Sequence, residues 1–193
     1  MLTAWRAPSS RPTKDIDFLA RMPNDLDSVV EVIREVCVQE VEPDGLKFDV
    51  ASLEGRIIKE DADYEGVRTN FRSTLQNARI HMQIDVGFGD VVTPSVVAME
   101  YPTILDHDPP HLNGYSRETT VAEKFEAMVK LGQLNSRIRD FFDIWVLARQ
   151  FDFDGRNLAD AVRRTFENRG TPIHIEPVAL TPEFASNAAK QTQ

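Results

Sequence analysis

The chain has one cysteine, four histidines and no apolar run of the roughly 18 residues that a membrane-crossing helix requires. With Cys37 alone, no disulfide can form within the chain and no thiolate-rich zinc site can be assembled. Cys37 lies in the apolar-periodic run VVEVIREVCV and reads as a small buried hydrophobe in a reducing, cytoplasmic setting. The histidines, at 81, 107, 111 and 174, lack the compact spacing of a zinc hydrolase. His107 and His111 have i, i+4 spacing, but Pro109 and Pro110 between them prevent a regular helix. The N-terminal MLTAWRAPSSRPTKD lacks the apolar stretch of a signal peptide. Bases are also scarce: 22 against 31 acids, a net charge of −9, which argues against nucleic-acid binding by bulk electrostatics.

The acid excess is uneven. Residues 21–66 carry 13 acids against 5 bases, whereas residues 131–170 carry 7 bases against 6 acids, so a polyanion would dock on the second half. The 193 residues are 41% apolar and 27% charged, enough for one domain or a domain with a small helical lobe. A chain of this size buries about two thirds of its unfolded surface on folding, which excludes disordered, collagenous and coiled-coil classes.

Periodicity gives an α/β order that turns helical. KDIDFLA (14–20) alternates as a strand, Ile16 and Phe18 on one face, Asp15 and Asp17 on the other. Asp25 to Gln39 reads as a helix with Val29, Val30, Ile33, Val36 and Cys37 in one stripe. Residues 46–52 and 54–60 read as short strands around a turn near Gly55, and 61–78 are polar and ambiguous. Residues 79–90 form the clearest strand, with Ile80, Met82, Ile84 and Val86 opposite His81, Gln83 and Asp85, ended by Gly87 and Gly89. Residues 93–118 read as a connection. Helices follow from Glu118, capped by Thr119 or Thr120 and stopped at Gly132, then over about 136–149 and 157–168.

The carboxylates suggest chemistry. Asp15 and Asp17, at i and i+2 on a strand, place two like charges on one face, an arrangement that a divalent ion such as Mg²⁺ relieves. A solvated strand edge is the alternative. If the Asp85 strand is a neighbour, three carboxylates converge as a two-metal platform for phosphoryl or nucleotidyl transfer. Asp90 is a possible fourth member or a turn residue, and His81 and Gln83 share the face of Asp85. Lys124 lies beside an apolar stripe of Val121, Phe125 and Met128, and either reaches into a cleft or is solvated. In the next helix Ile138, Phe141, Phe142 and Trp145 cluster on one side and Asp140 and Asp143 fall near the other, in a lined groove. Arg137 and Arg139 pair with these aspartates or with phosphate; an internal salt-bridge network is the alternative.

Three blocks, RPTKDIDFLA (11–20), IDVGFGD (84–90) and ETTVAEKFEAMVKLGQLNSRIRDFFDIWVLAR (118–149), together resemble the AbiEii/AbiGii-type nucleotidyltransferase toxins of the DNA polymerase β-like superfamily. The likeness runs over nearly the whole chain. It implies an α/β (α+β) fold: a nucleotidyltransferase core with a mixed sheet over residues 1–115, then a helical lobe over 116–193. It implies that Asp15, Asp17 and Asp85 bind metal, that Lys124 contacts triphosphate, and that Asp140 and Asp143 follow Arg139 in a K/R-D-x-x-D segment, Asp140 helping to activate or position the acceptor. It implies Mg²⁺, a nucleoside triphosphate substrate, an acceptor such as tRNA, and restraint by a cognate antitoxin in a type IV toxin–antitoxin or phage-defence system. Superfamily members place a glycine-containing block roughly ten to fifteen residues before D-x-D, at a helix start whose N–H groups hold phosphates. Here fourteen residues precede Asp15 and none is glycine. The chain is therefore expected to be shortened at its N-terminus, and also at its C-terminus, where TPEFASNAAKQTQ stops short of a further helix; the alternative to an active toxin is a catalytically inactive truncated homologue that binds a protein partner.

Overall fold

The structure, a computed structural model, describes Trp5 and residues 16–61, 64–103 and 106–191. Two compact units divide between Asp90 and Val91. The first holds a four-stranded mixed sheet in the order β1-β4-β3-β2, built from β1 (Ile16–Ala20), β2 (Leu46–Asp61), β3 (Tyr64–Leu75) and β4 (Ala78–Phe88), with helix α1 (Leu26–Cys37). β1 runs parallel to β4; the other pairings are antiparallel.

Alternation sets the two faces of this sheet. Val67, Phe71, Ile84 and Val86 are buried against Val29 and Ile33 of α1, the core of the unit. The α1 stripe is thus correct at Val29 and Ile33, while Val36 remains exposed. Asp25 caps the helix, its carboxylate accepting the Ser28 N–H at 2.8 Å.

Two readings of this region are corrected. There is no turn at Gly55: residues 46–61 form one strand, interrupted by a register shift between Asp49 and Glu54. The Ser52 hydroxyl donates to the Asp49 carbonyl and accepts the Arg72 N–H there, satisfying groups that the shift takes out of the ladder. Gly55 instead admits the helix, since a Cβ on it would lie 2.4 Å from Val30 Cγ2 and 2.8 Å from Leu26 Cδ1. The ambiguous stretch 61–78 supplies β3, an inner strand of the sheet. Thr69 and Ser73 are fully buried in alternation with Val67 and Phe71, so an apolar alternation is written partly in small hydroxyl residues.

The second unit begins with a hairpin, β5 (Val97–Glu100) and β6 (His111–Gly114), inside the stretch read as a connection. Helices α2 (Arg117–Leu131), α3 (Ile138–Gln150) and α4 (Gly155–Asn168) follow, then short α5 (Pro182–Ala185) and α6 (Ala188–Gln191). The cap of α2 is Ser116 rather than Thr119 or Thr120: its hydroxyl accepts the Thr119 N–H at 3.0 Å, while the Thr119 hydroxyl accepts the Thr93 N–H at 2.8 Å. Gly132 ends the helix with φ of 47°, as its position predicts. Phe125 meets Phe166 of α4 at 5.5 Å between ring centroids, and Phe141 stacks on Phe184 at 5.4 Å. A mixed β-sheet core followed by a helical C-terminal region is the architecture expected from the sequence.

Candidate functional site

In the sheet unit, the parallel pairing of β1 with β4 sets Asp17 directly opposite Asp85. Neighbouring strands lie about 4.8 Å apart, and residues in register point to the same face. That face is the polar one, because Ile16 and Phe18 register with Ile84 and Val86 on the other. The row continues across the sheet to Arg68 of β3 and Arg56 of β2.

Arg68 grips Asp85 with both arms of its guanidinium, Nε to Oδ1 at 2.7 Å and Nη2 to Oδ2 at 2.6 Å. Such bidentate pairing fixes the plane of the carboxylate. Gln83 Nε2 lies 3.4 Å from the same Oδ2, a long contact. Arg68 falls in the stretch the sequence left ambiguous. The buried Val67-Thr69-Phe71-Ser73 alternation was the signal that puts Arg68 on the opposite face, beside Asp85.

For a hard divalent ion, this row offers two carboxylates on rigid adjacent strands, the right donor chemistry. Asp15, the expected third, lies outside the described residues, and no group of three His, Cys, Asp or Glu among the described residues is arranged to hold a metal. Asp90 follows β4 beyond Gly89, whose φ is 78°, and His81 is exposed.

The remaining expected residues lie in the helical unit. Lys124 of α2 lies between two carboxylates of α3: its Nζ donates to Asp140 Oδ1 at 2.6 Å and is 2.8 Å from Asp143 Oδ2. The aspartate side chains are 6% and 2% exposed. Arg137 Nε is 2.8 Å from Asp140 Oδ2, and Arg139 is exposed on α3. The aspartates are thus withdrawn from open solvent, as expected, and the internal salt-bridge network is present. The other side of α3 faces water: Phe142 and Trp145 stack with centroids 5.9 Å apart while 43% and 57% exposed.

A second network went unread in the sequence. Glu126 of α2 is 1% exposed, lies 3.1 Å from Arg169 Nη1 and accepts the Thr171 hydroxyl, while Arg169 also pairs with Glu123. It joins α2 to the segment after α4. Lys124 and Glu126 sit two positions apart on α2, each meeting a partner of opposite charge on a different neighbour.

Element order and sheet topology are consistent with a nucleotidyltransferase-like α/β fold. The whole chain, residues 1–193, matches the family model described as "Nucleotidyl transferase AbiEii toxin, Type IV TA system", and the protein belongs to that AbiEii family. The structure is similar to the crystal structure of JHP933 from Helicobacter pylori, with a TM-score of 0.52 and 15% sequence identity over 88% of this chain and 65% of that one. This chain thus spans just under two thirds of that protein, and the likeness speaks to the fold. No curated protein sequence matches it. Among the described residues, no helix is long and apolar enough to cross a membrane.

Proposed function

We propose that the protein transfers a nucleotidyl group from a nucleoside triphosphate to an RNA acceptor, tRNA being the first to try, as the toxin of a type IV toxin–antitoxin or phage-defence system in the cytoplasm. The observation that carries this reading is the registration of Asp17 with Asp85 on adjacent parallel strands. Family membership supplies the reaction class. In this reading residues 1–115 form the catalytic core and 116–193 a helical lobe, and a cognate antitoxin restrains the activity.

Asp17 and Asp85, with Asp15, would hold Mg²⁺, which when bound would neutralise triphosphate charge and lower the pKa of the attacking hydroxyl. Arg68 fixes the Asp85 carboxylate in one plane and offsets part of the charge of the aspartate row. Lys124 is assigned to the triphosphate; Asp140 and Asp143 hold its ammonium in one place. Arg137 and Arg139 add positive charge on the same helix for phosphate. Asp140 also helps to activate or position the acceptor.

The test is incubation with each labelled nucleoside triphosphate, Mg²⁺ and total tRNA. Label entering RNA with wild type and not with Asp17→Asn or Asp85→Asn supports the reading. Absence of transfer from all of the nucleotides refutes it. One observation favours a second reading, an inactive homologue that binds a protein: the bidentate grip of Arg68 occupies both oxygens of Asp85. In that case the aspartate substitutions would leave cellular effects unchanged.

A further inference from the structure

The sheet unit has an apolar groove that its own described residues leave open. Among those residues α1 is the one helix on this face. Beside it runs a cavity of about 440 Å³ whose floor is the Ile16, Phe18 and Ile84 side of β1 and β4 and whose wall is Val32, Val36 and Cys37 of α1. Phe18 and Val36 are 51% and 60% exposed. Apolar groups this contiguous at a sheet face call for a second covering layer.

Charge identifies what would cover it. Residues 12–90 carry 17 acids against 9 bases, a net −8 of the chain's −9. The excess is densest in residues 25–49, spanning α1, the loop after it and the start of β2, which hold eight acids and two bases. Glu35, Glu40, Glu42 and Asp44 are exposed around the C-terminal end of α1. A second copy seated here would set like charge against like charge across an isologous contact.

We propose that this groove docks an amphipathic helix of a partner protein, apolar on one stripe and rich in lysine and arginine on its flanks. The apolar stripe would lie on Phe18 and Ile84 alongside α1, as a second helix on the sheet, and the basic flanks would meet the acidic end of α1. The docking does not depend on nucleotidyl transfer.

Cys37 makes the site readable, because the sole cysteine of the chain lines the groove. The probe is a fluorescent synthetic peptide of about 18 residues, leucine along one helical stripe and lysine elsewhere, with a leucine/glutamate peptide as control. Expected are saturable binding of the leucine/lysine peptide to the full chain, slower alkylation of Cys37 in its presence, and neither effect with the control. Val36→Asp, at an exposed position that folding does not need, should weaken binding about tenfold or more. Equal binding of both peptides, or binding without Cys37 protection, would overturn the proposal. So would complete protection of Cys37 without peptide, whether it sets in with protein concentration as a dimer forms or is present in the monomer because the chain covers its own groove.

Discussion

Replacing Lys124 by methionine keeps the length and the apolar stem of the side chain and removes its charge. In the wild type the ammonium sits 2.6 Å from Asp140 and 2.8 Å from Asp143, both withdrawn from water. Removing one member of a buried ion pair costs about 3–5 kcal/mol, chiefly because it leaves buried charge without its counter-ion. Lys124 is 19% exposed and Arg137 stays beside Asp140, so the cost should fall at the low end of that range, about 3 kcal/mol. For a chain of this size each kcal/mol moves Tm by about 2–4 °C, which gives a fall of about 6–12 °C. Because the chain has two compact units, the transition should be followed by the fluorescence of Trp145, on α3 itself. Adding Asp140→Asn and Asp143→Asn to Lys124→Met should recover most of the loss, since the neutral set no longer buries charge. A fall of about 2 °C or less in the single variant, the scale of a solvated surface pair, would refute the reasoning. It would also free Lys124 to be tested for activity alone, which a destabilising variant does not allow.

Gly55→Ala should destabilise the sheet unit by about 1–3 kcal/mol through overpacking against α1. Val30→Ala in the same chain should recover part of that, as denaturant midpoints would show. The Ser28 backbone N–H holds the Asp25 carboxyl below its ordinary value of 3.8. Its contribution to α1 is therefore complete above that value and is lost as pH falls through the lower folded one. Helicity followed by circular dichroism should then show Asp25→Ala weaker than wild type at neutral pH, with the difference closing in acid. Burial pushes the Cys37 thiol above 9.0, so its alkylation rate should reach half-maximum above pH 9.0; a midpoint below that would contradict the burial.

How much was legible follows from how each residue type encodes its surroundings. The β1 and β4 alternations and the α1 stripe are written in large aliphatics, so their faces could be read and Asp17 and Asp85 assigned to polar sides. Their register could not, because it depends on a pairing between residues 68 positions apart, as Ile16 and Ile84 are. β3 was missed because Thr69 and Ser73 occupy its buried positions. With the strand went Arg68, the group that governs the electrostatics of Asp85. Gly55 was misread because a glycine admitting a helix and a glycine making a turn have the same local sequence. In α3 the stripe of Ile138, Phe141, Phe142 and Trp145 did not tell which of its members are covered: Phe142 and Trp145 face water, while the aspartates are withdrawn as read, because Lys124 on another helix makes their burial tolerable.

In the proposed function Asp17 and Asp85, facing each other across parallel strands, form the floor of a metal site. Its most direct test is Mn²⁺ titration of the full chain followed by electron paramagnetic resonance, with Asp17→Asn and Asp85→Asn alongside. Bound Mn²⁺ is expected in the wild type and its loss in both variants, with circular dichroism unchanged. Equal Mn²⁺ binding in all three proteins, or none in the wild type, would contradict it.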